Sequence, residues 1–167
     1  MSELPTLSKQ KFYRTTGFLA LVIGIVALTA APTMTYYGLS YNSVNGTAVQ
    51  LASGYRSPGN GYVTTFYLEI HVWSYATSLD TRIREPLFSL AVDSLPFATL
   101  ATSSGTWHTN GFVSYNLKFK TFDNTVAEVV GQSTTNHLVL SVTGVVSAGL
   151  FSEALTRSDS VTWTFTS

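Results

Sequence analysis

The chain has 167 residues, enough for one compact domain with an appendage but short for two full cores. Nine Lys and Arg balance nine Asp and Glu, so no basic stripe is available to neutralise a run of phosphates, which argues against nucleic acid as a partner. The absence of cysteine removes disulfides, thiol nucleophiles and cysteine-ligated zinc, while Thr, Ser, Tyr and Asn take the surface places left by a charged share of only 11%.

Residues 1–14 read as a cytoplasmic basic tail, disordered over 1–8. Lys9, Lys11 and Arg14 face only Glu3 in the sign count, which sets that side inward by the positive-inside rule. Gly17 to Ala31 then carries no charged side chain. That stretch alone is short of the roughly 20 residues needed to cross a hydrocarbon core. Continuing through Pro32, Thr33, Met34 and Thr35 to Tyr36-Tyr37 makes up the length, with the tyrosines at the interfacial aromatic belt. The expectation is a single transmembrane helix over 15–37, delivering the rest of the chain outside the cytoplasm. Two alternatives stay open. A cleaved secretory signal also has a basic start and a short apolar centre, although Pro32 directly follows the small residues Thr29, Ala30 and Ala31. A processed filament subunit, cut between Gly17 and Phe18, is the other. Gly17 and Gly24 lie seven apart, roughly on one helix face, and make a homo-oligomer conceivable through close helix contact.

Residues 38–61 read as linker and first strand or strands, with one or two short strands available within Tyr36 to Val49. Asn45-Gly46-Thr47 is an Asn-x-Thr triplet in that loop, making Asn45 the candidate N-glycosylation acceptor.

From Tyr62 the period becomes two. Phe66, Leu68, Ile70 and Val72 share one face; Thr65, Tyr67, Glu69 and His71 share a wetter one. Alternation returns in 88–93, 112–120, 137–146 and 160–166, with a shorter strand over 95–102. Turn residues punctuate these runs at 57–61, Asp93-Ser94, 103–105, Asn110-Gly111 and 147–149. Asp123 to Gly131 opens on cap-forming residues and closes on Gly, predicting two helical turns. About seven strands in this space predict an immunoglobulin-like antiparallel β-sandwich over 62–167, mainly β with one short helix, behind an N-terminal transmembrane helix.

Residues that could carry chemistry do not converge. His71, His108 and His137 occupy three segments with no i, i+2 or i, i+4 partner, so no metal site is expected. Serines are many, yet no Gly-x-Ser-x-Gly elbow or Gly-rich phosphate loop occurs. Asp80 and Glu85 flank Arg82 and Arg84 as a charged surface loop, its local pairing worth at most about 1 kcal/mol. Trp73, Trp107 and Trp163 read first as packing residues and second as a stacking platform. No catalytic residue and no cofactor is expected.

The order of segments does resemble a known family. Tyr-Ala-Thr-Ser-Leu-Asp (75–80) follows the long strand, then Arg-Ile-Arg (82–84) and Phe-Ser-Leu-Ala-Val-Asp (88–93). After the mid-chain Ser/Gly turn come Phe112 to Phe119, the short helix and Leu-Val-Leu-Ser-Val-Thr-Gly (138–144). Together they resemble the LEA14-like, or water-stress and hypersensitive-response, domain of the LEA type 2 superfamily over about residues 62–166. Ser74-Tyr75 stand where that family usually has Asn-Pro. The resemblance implies an immunoglobulin-like sandwich with one helix, often behind a membrane helix, and a non-catalytic role in stress protection or in contact with membranes. The expected setting is thus the cell membrane, with the bilayer as partner and lipids, glycans or other envelope proteins as further ones. A pilin- or archaellin-like filament subunit is the alternative.

Overall fold

A 40-residue helix, α1 (Thr6–Asn45), begins the described chain. The computed structural model describes residues 6–57, 61–75, 79–108 and 110–165, with side chains from residue 16 onward. Residues 1–5, part of the tail expected to be disordered, lie outside these, as does the centre of the 57–61 turn; residues 6–8 are already helical. The chain divides into two compact units, one up to Gly38 and one from Leu39.

Within the first unit, α1 exposes apolar side chains on every side from residue 18 onward. Leu28 is 78% exposed and Met34 74%, and Phe18, Leu21, Ile23 and Val26 are open on other sides of the same helix. The threonines satisfy themselves: Thr29 Oγ1 donates to Ile25 O at 3.0 Å, Thr33 Oγ1 to Thr29 O at 2.8 Å and Thr35 Oγ1 to Ala31 O at 2.9 Å. Such back-bonding gives each of these three hydroxyls a partner without water. Pro32 lies inside the helix, which loses one backbone bond there and continues.

The second unit opens on the last turns of α1, so of the stretch Tyr36 to Val49, expected to supply one or two strands, residues 36–45 are helical and only the last three are extended. Ser40, Ser43 and Val44 are fully buried, a spacing of three and four that marks a helical stripe. The tyrosines around them favour strands in isolation, and packing overrides that preference. One residue after α1 ends, β1 (Thr47–Arg56) begins. The remaining elements are β2 (Thr65–Ser74), β3 (Thr81–Val92), β4 (Leu95–Ala101), β5 (Gly105–Trp107), β6 (Phe112–Lys120), α2 (Asn124–Gly131), β7 (Thr135–Ala148) and β8 (Phe151–Thr164).

Two antiparallel sheets face each other. The smaller has the order β1-β2-β6; the larger runs β4-β3-β7-β8, with β5 also paired to β3. Alternation supplies the core: Phe66 and Ile70 from β2, Phe119 from β6, Phe88 from β3, and Leu138 and Leu140 from β7 are fully buried. Each contributes about 1.5–3 kcal/mol by leaving water. Phe66 meets Phe97 and Phe165 edge to face, at 5.0 and 5.6 Å between ring centroids.

Two strands are longer than the sequence suggests. Residues 81–84, expected as a charged loop, belong to β3. Arg82 and Arg84 point outward around buried Ile83, and a register shift between Arg84 and Leu87 absorbs Glu85, which has φ +48°. The expected pairing within 80–85 does not form among the described residues: Asp80 Oδ1 instead lies 2.7 Å from His108 Nδ1. Strand β8 starts at Phe151, well before Ser160, because an edge strand with one partner needs little apolar alternation.

Helix α2 forms as its residues predict. The Asp123 carboxylate accepts from Thr125 N at 2.9 Å and Val126 N at 3.3 Å. Gly131, however, is a packing glycine: a Cβ there would strike Gly61 O and lie 2.8 Å from Tyr62 N.

Candidate functional site

The outer face of the smaller sheet holds two recesses lined by aromatic, amide and hydroxyl side chains. Its geometry follows from register. Strand β2 pairs with β6 without interruption, setting Tyr67 opposite Lys118, Glu69 opposite Asn116, His71 opposite Ser114 and Trp73 opposite Phe112. On the other flank, β1 sets Gln50 opposite His71 and Leu51 opposite Ile70, and then slips by one residue before Ser53. This bulge reverses the parity of β1. Gly54 turns inward, where a Cβ would lie 2.7 Å from Trp163, and Tyr55 turns outward.

At one end, Tyr55 stacks on Tyr67 at 4.6 Å and 11°, and Lys118 Nζ lies 5.2 Å from the Tyr67 ring on this face. Together with Ser53, Glu69 and Asn116 they border a recess of about 360 Å³. At the other end, His71 stacks on Phe112 at 4.1 Å and Trp73 meets Tyr75 edge to face at 5.8 Å. Gln50 and Asn110 complete this second recess of about 370 Å³. Asn110 adopts φ +60°, and Gly111 N donates to His108 O at 2.8 Å, closing the turn that enters β6.

Glu69 sits between the recesses. It accepts from His71 Nε2 at 3.0 Å, Ser53 Oγ at 2.9 Å and Ser114 Oγ at 3.3 Å. The His71 bond, then the Ser53 bond, hold its carboxyl below the ordinary carboxylate range. The carboxylate is therefore a fixed acceptor at neutral pH and a poor general acid.

The other residues singled out by sequence are dispersed. His108 meets Asp80, and His137 Nδ1 lies 3.1 Å from Thr162 Oγ1. Among the described residues no group of three His, Cys, Asp or Glu stands close enough to hold a metal ion. Trp107 is core and Trp163 packs over Gly54, while Trp73 belongs to the outer face. Asn45 ends α1 and does not lie in a loop; its Nδ2 donates to Tyr41 O at 3.2 Å. Tyr55, Tyr75 and Phe112 are face residues that the alternation of β2 could not announce, since a bulge and two strand ends orient them.

No family model matches the chain, and no curated protein is similar to it. Solved structures to which it is similar include a crystal structure of a protein from Archaeoglobus fulgidus, with TM-score 0.41 and 5% identity over 72% of this chain and 95% of that one. They also include the solution structure of a protein described as late embryogenesis abundant (LEA), with TM-score 0.48 and 11% identity over 94% and 86%. A third is the solution structure of a protein from Arabidopsis thaliana, with TM-score 0.46 and 12% identity over 71% and 84%.

Proposed function

We propose that this chain is a single-pass membrane protein that holds a non-catalytic β-sandwich outside the cytoplasm, where it binds or shields components of the envelope. The observation that carries the reading is α1. One described segment, Thr16–Asn45, is long and apolar enough to cross a bilayer, and its most apolar 18-residue window has a mean hydropathy of 2.0 and no buried residue. A helix that is apolar on every side and uncovered by its own chain calls for a lipid or protein surround. At about 1.5 Å per residue, 30 residues measure about 45 Å, so a hydrocarbon core of about 30 Å leaves several turns beyond it. Stress protection enters from the sequence resemblance to LEA14-like domains.

A filament subunit is the second reading, favoured by one feature. With a cut before Phe18, α1 would still run unbroken from Phe18 to Asn45, past the end of the apolar stretch, which would suit helix-to-helix packing in a fibre.

Fractionation of the native organism or an expression host, with sequencing of the mature N-terminus, tests both. The anchor reading expects the chain to resist carbonate and high salt, to dissolve in detergent, and to lose its sandwich to protease added from outside. Recovery from the cytosol overturns it. A mature chain starting at Phe18 replaces it with the filament.

A further inference from the structure

We propose that the outer face of the β1-β2-β6 sheet is a binding site for a neutral, extended oligosaccharide. This rests on the reading above only for where such a ligand is met.

Three observations lead there. The face keeps large aromatics in water: Tyr75 is 79% exposed and Tyr55 61%, with Phe112 open beside them. Exposed aromatics grouped in a recess mark recognition more than packing. Second, polar groups share the face with them: Glu69, Ser114 and Asn116 lie between Tyr67 and Trp73 in the register, and Gln50 lies opposite His71. A protein interface would keep a continuous apolar centre. A sugar ring instead offers polarised C–H bonds to an aromatic face, whose quadrupole is negative, and hydroxyls at its rim to amides and carboxylates. Third, the charge is balanced. The recess at Trp73 has no Asp, Glu, Lys or Arg among its described lining residues, and the recess at Tyr67 has one of each sign, Glu69 and Lys118. Neither suits a phosphate, a polyanion or a lipid headgroup array.

Length follows from the strand. Tyr67 and Trp73 lie six residues apart on β2, about 20 Å at strand rise. An occupant of both recesses is therefore a chain of several rings. Preorganisation favours it: Glu69 is already held by three bonds, and the uninterrupted β2–β6 pairing keeps the platform continuous.

The test uses the full chain in phosphatidylcholine nanodiscs, since glycoside detergents would compete. Cellohexaose, maltohexaose, xylohexaose and chitohexaose are titrated by calorimetry and tryptophan fluorescence, each beside its disaccharide. At least one hexasaccharide is expected to bind with a Kd below about 1 mM and more tightly than its disaccharide. Tyr55→Ala and Tyr75→Ala, one in each recess and both at exposed positions, are expected to weaken it about tenfold while the circular dichroism spectrum stays that of the parent. Phe122→Ala is the control, an aromatic 85% exposed that borders neither recess. No binding by any hexasaccharide, or binding that both face variants leave unchanged, overturns the proposal. Either result leaves membrane partitioning untouched, so the two readings fail separately.

Discussion

Tyr115 is a core residue with an unmet need. Its hydroxyl and the indole Nε1 of Trp107 are buried without a hydrogen-bond partner among the described residues. Both belong to the β5–β6 side of the sandwich, where Gly105 makes room: a Cβ there would collide with the Tyr115 hydroxyl. Leaving a buried hydroxyl unpaired costs about 1–3 kcal/mol, whereas the ring itself packs against Phe88 at 5.0 Å. Tyr115→Phe keeps the ring and removes the penalty, so it is expected to raise stability by about 1 kcal/mol at neutral pH. Burial also pushes the phenol up from 10.0 to about 12. Below pH 10 it is neutral in both states. Between about 10 and 12 the unfolded chain releases the proton that the folded chain keeps, so the folded state loses ground as pH rises, by at most about 1.4 kcal/mol per unit. The phenylalanine variant lacks that component. Denaturant unfolding at pH 7 and pH 11 measures both effects; a destabilised variant, or one with the same alkaline loss as the parent, refutes the account.

Strand β1 shows how one inserted residue shapes a surface. The slip between Leu51 and Ser53 lets Leu51 and Gly54 both face the core and frees Tyr55 for the outer stack. Gly54→Ala puts a methyl group 2.6 Å from Leu68 Cδ2 and 2.8 Å from the Tyr67 carbonyl oxygen, which is fixed in the β1–β2 ladder. Overpacking of this kind costs about 1–3 kcal/mol. Gly24→Ala in α1 meets nothing within 4 Å and is expected to be neutral or slightly stabilising. Thermal unfolding of the pair checks the contrast, and equal melting curves would rule it out. The same bulge explains the limits of reading this chain by pattern. Strands β2, β6 and β7 alternate strictly, and α2 carries its own Asp cap, so all four were legible. In β1 the sequence Leu51-Ala-Ser-Gly-Tyr55 has no period that reveals its parity. Residues 36–45 hide a helical stripe of serines among tyrosines, and 81–87 and 151–159 look like loops because their outward sides are charged or hydroxylic. Of the candidate face, His71 and the outward side of β2 were legible; Tyr55 and Phe112 depend on cross-strand register, which local sequence does not encode.

The boundary between the two units falls inside α1, and its position has a consequence for how much of the chain is needed to fold. The sandwich unit starts at Leu39 and uses the end of the helix as core. Val44 is fully buried; Ser74 Oγ donates to Ser43 O; Leu150 N donates to Ser40 Oγ at 3.3 Å. Arg157 closes the helix terminus, donating from Nη2 to Asn45 O at 3.0 Å and from Nε to Thr47 O at 2.8 Å. A cation at the carbonyl end of a helix also opposes the negative pole of its dipole. A fragment beginning at Leu39 keeps all of these contacts and sheds the apolar stretch, so it is expected to be soluble without detergent and to melt as the sandwich does in the full chain. A fragment beginning at Thr47 deletes Val44, worth about 1.5–3 kcal/mol, and removes one of the carbonyls that hold the Arg157 guanidinium, a bond worth about 1.5–3 kcal/mol to a charged donor. Against a usual total of about 5–15 kcal/mol for a domain, that loss takes a large share of the margin. Circular dichroism melts of the two fragments decide the matter. If they melt alike, the helix end is an ornament of the sandwich and the boundary belongs at β1. If only the longer one folds, the sandwich carries its own stub of helix, and the apolar segment before Leu39 is left free for the bilayer or for neighbouring helices.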